Sequence, residues 1–484
     1  MDHSRRPFYH GSEPRSVLCI AGMLFACAAF IAGATGCKVG PDYEGPPEIE
    51  MPEAFGAVED PAFVPGTTDL RTWWEIFDDP MLNEVIEAAA SDNLDLRIAM
   101  SRVIEARARV DIAESARSPL IALGGGSAVD SNAATGFDPR VQSSLSLQAS
   151  WELDVFGRVA RQIEAAEATS GAAEEDRRDV QVSTFAETAN RYLSVRSLQS
   201  QLETAEQNIE SQREILELTE IRRRDGLASR LDVVRAEQLL ASSEAILPPL
   251  RIQLNRDINT IALLIGTHPQ ALPFDLQTPA PLPVPPPEVV LGVPAELLRQ
   301  RPDIRAAERR LAAQTARVGI ATTALYPQFS LGGSIGSSFS STPLSFSLGP
   351  SVRWTLFDGG AVRSQISVED AVLEQALLAY EQTVLRAIEE VETSMTTFIE
   401  QRIRLDAVNR SADSAREAFR LARGVYREGL IDFQDLLSVQ MELLSAESQV
   451  AEASGLASQN LVSLYKALGG GWDPEQPADR ATNE

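Results

Sequence analysis

One pattern, present twice, constrains this chain more than any other. A pair of short alternating strands runs straight into a helix far longer than a globular domain needs. The first copy begins at Ser118 with SPLIALGGGS, continues through SLSLQASWELDVFGR, and enters a polar stretch with no proline until Pro248. The second begins at Tyr326 with YPQFSLGGSI, continues through LSFSLGPSVRWTLFDGG, and enters another long helix. Such a unit reads as part of a wall, and the wall as enclosing a pore.

The strands carry a clean period of two. Val141, Leu145, Leu147, Ala149, Trp151 and Leu153 alternate with Gln142, Ser144, Ser146, Gln148, Ser150 and Glu152. Phe346, Leu348, Val352, Trp354 and Leu356 alternate with Ser347, Ser351, Arg353 and Thr355, and Phe329, Leu331, Ile335 and Phe339 continue the pattern in the preceding strand. Each run is long enough for a tilted membrane-spanning strand, which needs about 9–11 residues. Its Ser, Gln and Gly face suits a wet lumen. Alternation alone fits a half-buried soluble hairpin equally well. In lipid, four strands leave open edges that the bilayer does not tolerate. Two chains give roughly eight strands, a barrel filled by its own side chains, whereas three give about twelve and leave an interior. A homotrimer is the expectation.

The duplication extends well beyond the strands. Arg109-Val110 recurs as Arg317-Val318, an offset of 208, and Leu123-Gly124-Gly125 recurs as Leu331-Gly332-Gly333 at the same offset. After the strand loop the offset becomes 203: Trp151 with Trp354, Asp225-Gly226-Leu227 with Glu428-Gly429-Leu430, and Ile265-Gly266 with Leu468-Gly469. One exposed loop differs in length, and the rest keeps register.

From Gly157 to Arg224 the pattern predicts a helix about 100 Å long at 1.5 Å per residue. Val195, Leu198, Leu202, Ala205, Ile209 and Leu216 form a seam that includes polar Gln212. Val391, Met395, Phe398, Leu405, Val408, Ala412, Ala415, Phe419 and Tyr426 form its counterpart. These are coiled-coil rows with small residues that allow close approach. Each long helix ends at a turn, DGLAS or EGLID, and another helix returns. The fold class expected is mainly α with a membrane β-hairpin pair, built by internal duplication. Four transmembrane strands per chain would close as a trimeric barrel, with a pair of long helical hairpins attached to the pair of strand hairpins.

Composition narrows the function. A net charge of -26 disfavours nucleic acid, whose phosphates need clustered Lys and Arg. Cys19, Cys27 and Cys37 all lie near the N-terminus, so neither a disulfide nor a cysteine metal site is available to the body. Only His268 of the three histidines lies in the body, in a loop after a helix end, and no metal site, cofactor or catalytic group is expected. Arg5, Arg6 and Arg15 precede an apolar run from Val17 to Ala34, then ATGC ending in Cys37. This reads as a secretory signal, and its ATGC end resembles a bacterial lipoprotein lipobox. An uncleaved N-terminal transmembrane helix is the alternative. The expected organisation is a signal peptide over 1–36, a lipidated extended tail over 37–70, a first repeat over 71–270, a proline-rich linker over 271–293, a second repeat over 294–471 and a flexible tail over 472–484.

Cys37 followed by VGPDY, the WWEIFDDPMLNEVI segment, the Arg107-Ala108-Arg109 helix, the DVFGR and FDGG strand exits and the two Gly-Leu turns together resemble the outer-membrane factor family, the TolC-like efflux ducts, in their lipidated NodT type. The resemblance covers nearly the whole chain after Cys37. It implies acylation of Cys37, with Lys38 rather than Asp next to it pointing to the outer membrane. It also implies a homotrimeric duct, a twelve-stranded outer-membrane β-barrel continuous with an α-helical periplasmic barrel, that docks on a periplasmic adaptor and an inner-membrane pump, usually of the resistance-nodulation-division class, and that passively exports small molecules. By the same resemblance Gly226, Leu227, Ser229, Gly429, Leu430 and Asp432 lie at the tip that meets the adaptor. Asp435 and Tyr426 fall where the family constricts the closed end, and Asp232 is the first-copy equivalent of Asp435. The family's second aperture carboxylate is Ser438 here. The residues also support a plainer reading, in which the glycines supply φ > 0 and Ser229 with Asp232, and Asp432 with Asp435, are helix caps. Arg222, Arg223, Arg224 and Arg230 lie close enough in sequence to pair with tip carboxylates. Two other functions stay open at this level: a periplasmic coiled-coil structural lipoprotein without a pore, and a type I secretion duct.

Overall fold

The computed structural model of the chain describes residues 38–473 apart from 48, 50–54, 57–59, 67–68, 132–135, 138, 287, 292–299 and 339–341. The signal peptide expected over 1–36, Cys37, and positions 474–484 of the expected tail lie outside the described residues. In chain order the first copy contains β1 (Phe63–Pro65), α1 (Pro80–Asp92), α2 (Leu94–Ser115), β2 (Leu120–Asp130), β3 (Arg140–Leu153), α3 (Arg158–Arg224), α4 (Arg230–Glu244) and α5 (Leu247–Leu264). β4 (Val289–Leu291) lies in the linker, and the second copy contains α6 (Pro302–Thr323), β5 (Gln328–Ser338), β6 (Thr342–Arg353), α7 (Ala361–Arg427) and α8 (Phe433–Ala467). The elements group into two compact units. Among the described residues, one comprises those up to Gly45, Ala108–Glu167 and Ala312–Glu374, and the other the remainder.

The first unit holds a four-stranded antiparallel sheet in the order β2-β3-β5-β6. The two hairpins join through β3 and β5, with Leu147 opposite Ile335 and Trp151 opposite Leu331. One face carries Ile121, Leu123, Leu145, Leu147, Ile335, Phe346, Leu348 and Val352, and these side chains are 42 to 81% exposed. A contiguous open apolar face of that extent is not what a water-soluble monomer presents. The other face is a ladder of Ser, Gln and Gly. Hydroxyl pairs cross it between Ser330 and Ser351 at 2.7 Å and between Ser334 and Ser347 at 2.9 Å. The half-buried soluble hairpin therefore does not describe this sheet. β2 and β6 form its edges, each with one row of backbone groups unpaired within the sheet.

Each strand pair feeds its long helix through the same device. The indole N–H of Trp151 donates to the Arg117 carbonyl at 3.0 Å, and that of Trp354 to the Leu325 carbonyl at 3.1 Å. Asp154 then caps α3 by accepting from the Val159 and Ala160 amides at 3.0 and 2.8 Å. Asp358 caps α7 by accepting from Gly360 at 2.8 Å and Val362 at 2.7 Å. Those bonds hold the Asp358 carboxyl below its ordinary range, the Val362 amide contributing most.

The second unit packs around Trp73, Trp74, Phe185, Tyr192, Phe398 and Tyr465. Trp73 stacks on Tyr465 at 5.5 Å, and Trp74 meets Phe185 edge-on at 5.3 Å. Asp79 caps α1 and also accepts from the Tyr192 hydroxyl at 2.6 Å. The seams fall on the helix faces expected: Val195, Ile209, Val391, Met395, Phe398 and Ala412 are buried. Gln212, the polar member, is buried too and donates to the Ser243 hydroxyl at 2.8 Å.

Three features add to the duplicated plan. α3 and α7 each span 67 residues, but the returning helix of the first copy is broken between Glu244 and Leu247 where α8 runs unbroken. Pro248 and Pro249 follow the break, and a proline ring would clash with the carbonyl four residues earlier. The proline-rich linker is a packed segment and not a free tether. Val289 and Leu276 are buried, β4 pairs in parallel with β1, and Gln199 donates to the Leu276 carbonyl at 2.9 Å. The tail expected over 472–484 opens on a packed residue. Trp472 is buried, with the guanidinium carbons of Arg178 and Arg305 4.9 and 5.3 Å from its ring. Desolvation of its ring and the two cations hold it.

Candidate aperture at the paired turns

Both turns are built by the same local chemistry. Gly226 and Gly429 each have φ +77°, a region that costs a side-chain-bearing residue about 1 kcal/mol or more. In the first turn the Gly226 amide donates to the Arg223 carbonyl at 3.0 Å and the Leu227 amide to Arg222 at 2.7 Å. In the second, Gly429 donates to Tyr426 at 3.0 Å and Leu430 to Val425 at 3.1 Å. These paired bonds satisfy the last carbonyls of α3 and α7. Leu227 and Leu430, freed by the turn, are exposed.

The returning helices are capped in two different ways. Ser229 and Asp232 form a reciprocal box: the Ser229 hydroxyl accepts from the Asp232 amide at 3.1 Å, and the Ser229 amide donates to the Asp232 carboxylate at 2.8 Å. The Ser229 hydroxyl also lies 2.8 Å from that carboxylate. In the second copy Asp432 accepts from the Asp435 amide at 2.9 Å, with no return bond. Among the described residues the Asp435 carboxylate accepts no hydrogen bond, and its side chain is exposed. Capping thus engages the Asp232 carboxylate and leaves that of Asp435 free. Ser438 is turned to its own helix, donating to the Gln434 carbonyl at 3.0 Å.

Tyr426 is 2% exposed and belongs to a cluster with Ile215, Ala236, Phe419, Phe433, Leu436 and Leu443. Its ring meets Phe433 edge-on at 6.1 Å, and its buried hydroxyl has no partner among the described residues. Arg222 crosses from the first turn to cover it: the guanidinium carbon lies 4.5 Å from the ring centre, and the group donates to the Tyr426 carbonyl. Arg235 makes the second crossing, donating to Gln434 at 2.7 Å, and Arg423 pairs with Glu214 at 2.6 Å.

The structure thus brings together Arg222, Tyr426 and Phe433, and keeps Asp232 and Asp435 on their own helices. The arginines expected to pair with tip carboxylates behave otherwise. Arg222 goes to a carbonyl and a ring, and Arg230 reaches Glu237 only at 3.7 Å between exposed groups. Arg223 and Arg224 form no ion pair among the described residues. Phe433 and Arg235 were not singled out from the sequence; an apolar residue directly after a capping Asp is the signal that points to the first, and nothing local points to the second.

No helix among the described residues is long and apolar enough to cross a membrane. The family profile described as "Outer membrane efflux protein" matches residues 85–267 and 293–470. The chain belongs to the outer membrane efflux protein family. Among its relatives, Nodulation protein T of Rhizobium leguminosarum bv. trifolii is 32% identical over 452 residues, covering 91% of this chain and 96% of that one. The pyoverdine export outer membrane protein OpmQ of Pseudomonas putida is 32% identical over 424 residues, covering 84% and 89%. Among solved structures, the outer-membrane channel OprN superposes with a TM-score of 0.84 at 38% identity, covering 90% of this chain and all of that one. This outer membrane efflux protein is thus a member of a family of ducts, resident in the outer membrane, rather than of an enzyme family.

Proposed function

We propose that this efflux protein is the outer-membrane duct of a tripartite efflux system, passing small molecules from the periplasm to the exterior without energy input of its own. The sheet carries the reading: its outer face is apolar and open, its inner face is Ser, Gln and Gly, and both edges await partners. Three chains pairing β2 to β6 would close about twelve strands and leave a polar lumen. The homotrimer, the acylated Cys37, the periplasmic adaptor and a resistance-nodulation-division pump complete this reading. At the tip, Leu227 and Leu430 would present the adaptor contact. Asp435, with its carboxylate uncommitted, would form a ring of negative charge at the aperture, a device that attracts cations. The names of the relatives, which include pyoverdine, toluene and solvent export, support small molecules over secreted protein as cargo.

Single-channel recording in a planar bilayer tests the reading. The purified protein is expected to give discrete conductance steps, and Asp435→Ala to reduce cation preference. Absence of conductance from correctly assembled protein would remove the duct; conductance indifferent to Asp435→Ala would remove the ring alone.

A further inference from the structure

The segment directly after Cys37 is held by a site that the duct itself does not use. Arg161, in the first turn of α3, is 0% exposed. Its fork reads successive positions of that segment: Nε donates to the Val39 carbonyl at 3.1 Å, Nη2 to the Gly40 carbonyl at 3.0 Å, and Nη1 meets Asp42 and Glu164, both at 2.9 Å. Glu164 turns back to the Lys38 ammonium at 2.6 Å. The backbone is shaped for the fit. Gly40 has φ +86°, and a Cβ there would sit 2.5 Å from the Gly319 Cα. A Cβ on Gly319 would fall 2.7 Å from the Arg161 Nε, and one on Gly157 2.9 Å from the Lys38 Cα. The Val39 amide donates to the Phe156 carbonyl at 3.3 Å, and Phe156 stacks on Tyr326 at 4.8 Å beside Phe329. That aromatic group stands where the strands leave the sheet, the position of a membrane-interface belt.

We infer that Arg161, with Glu164 and the Gly40–Gly319 contact, is a docking site for the chain's own processed N-terminus, holding the acyl-bearing residue at the aromatic end of the sheet. This rests on the reading that Cys37 is the acylated first residue. A lipid on a free tether restrains only distance. A lipid on Cys37, which is peptide-bonded to a Lys38 fixed against α3, restrains where the sheet lies relative to the bilayer surface. Arg161 acts here as a positioning residue, through the backbone that it grips.

Lysine-specific proteolysis of the full chain in detergent tests this, because Lys38 and Lys466 are the only lysines. Docking is expected to protect the Lys38–Val39 bond in the native protein, while cleavage at Lys466 reports loss of the overall fold. Arg161→Ala and Arg161→Lys are each expected to speed cleavage at Lys38 at least tenfold, the lysine because it keeps charge but not the fork. Gly40→Val lies on the docked segment and leaves the body intact, so it provides the same readout if the arginine variants misfold. Equal Lys38 cleavage in native protein, Arg161→Ala and Gly40→Val, with Lys466 protected throughout, would overturn the docking site. The mass of the released fragment reports separately on the anchor. Diacylglyceryl-modified Cys37-Lys38 supports it, and an unmodified fragment overturns the anchoring role even where docking protects.

Discussion

The guanidinium of Arg222 lies 4.5 Å over the ring of Tyr426 and donates to the carbonyl of the same residue, so one side chain from α3 grips both the face and the backbone of the last turn of α7. No other arginine of the tip makes both contacts among the described residues. A cation over an aromatic face contributes about 0.5–2 kcal/mol, and the hydrogen bond to the carbonyl adds about 1 kcal/mol. Arg222→Ala is therefore expected to loosen the first hairpin from the second by about 1–2 kcal/mol, a five- to thirtyfold shift in a two-state balance. In bilayer recordings this appears as a higher open probability. Arg222→Lys, which keeps charge but loses the planar fork, should fall between. An open probability equal to that of the parent protein would show that the contact does not restrain the tip.

The two equivalent aspartates should separate in their effects. Asp232 returns the Ser229 amide bond of its capping box, whereas the Asp435 carboxylate accepts nothing among the described residues. Asp232→Ala is expected to cost about 1 kcal/mol in stability, the usual value of a cap, and to leave ion selectivity unchanged. Asp435→Asn is expected to do the reverse. Thermal denaturation and reversal potentials under a salt gradient measure the two. A selectivity change in Asp232→Ala as large as that in Asp435→Asn would mean that both rings face the conduit.

Neighbouring residues on β6 provide a test of which face meets lipid. Phe346 is 81% exposed on the apolar face, and Ser347 beside it bonds Ser334 across the other. An arginine at mid-depth on the lipid side of a barrel costs about 2–4 kcal/mol, while lumen positions tolerate charge. Phe346→Arg should abolish the heat-modifiable assembled form on gels, and Ser347→Arg should keep it and alter conductance. The opposite outcome would invert the sheet.

What the sequence made legible was whatever local periodicity encodes. The period-two strands, the two long helices, the glycine turns and the caps at Ser229 and Asp432 each depend on residues within a few positions of one another. The sheet order was not legible, because joining β3 of one copy to β5 of the other involves partners nearly two hundred residues apart with no distinguishing composition. The Arg161 site was equally hidden. Two of its four acceptors are backbone carbonyls, which leave no trace in a sequence, and only Gly40 and Gly319 hint that something passes closely. Charge alone points Arg222 to the tip carboxylates, whereas its fork meets a carbonyl and a ring. Trp472 was lost in a polar tail because the cations that hold it lie in α3 and α6.

The last expectation concerns pH. Asp179 on α3 lies beside Arg301, which binds Asp303 at 2.8 Å, Glu390 at 2.7 Å and the Ala467 carbonyl at 2.6 Å. Arg301 is thus largely committed to other partners. Burial, followed by the charge of Asp303, pushes the Asp179 carboxyl above the ordinary range, with Arg301 only partly opposing. A carboxyl that holds its proton more tightly folded than unfolded favours folding at low pH. That contribution is complete below the unfolded value of about 3.9 and is lost as pH rises through the higher folded value. Asp179→Asn removes the ionisation and keeps the shape. It is expected to raise the melting temperature at pH 7.5, with the gain shrinking on acidification and vanishing near pH 3.5. A gain that is constant across this range would trace to packing and not to charge, and a loss at pH 7.5 would mean that Arg301 does draw on Asp179 as a partner.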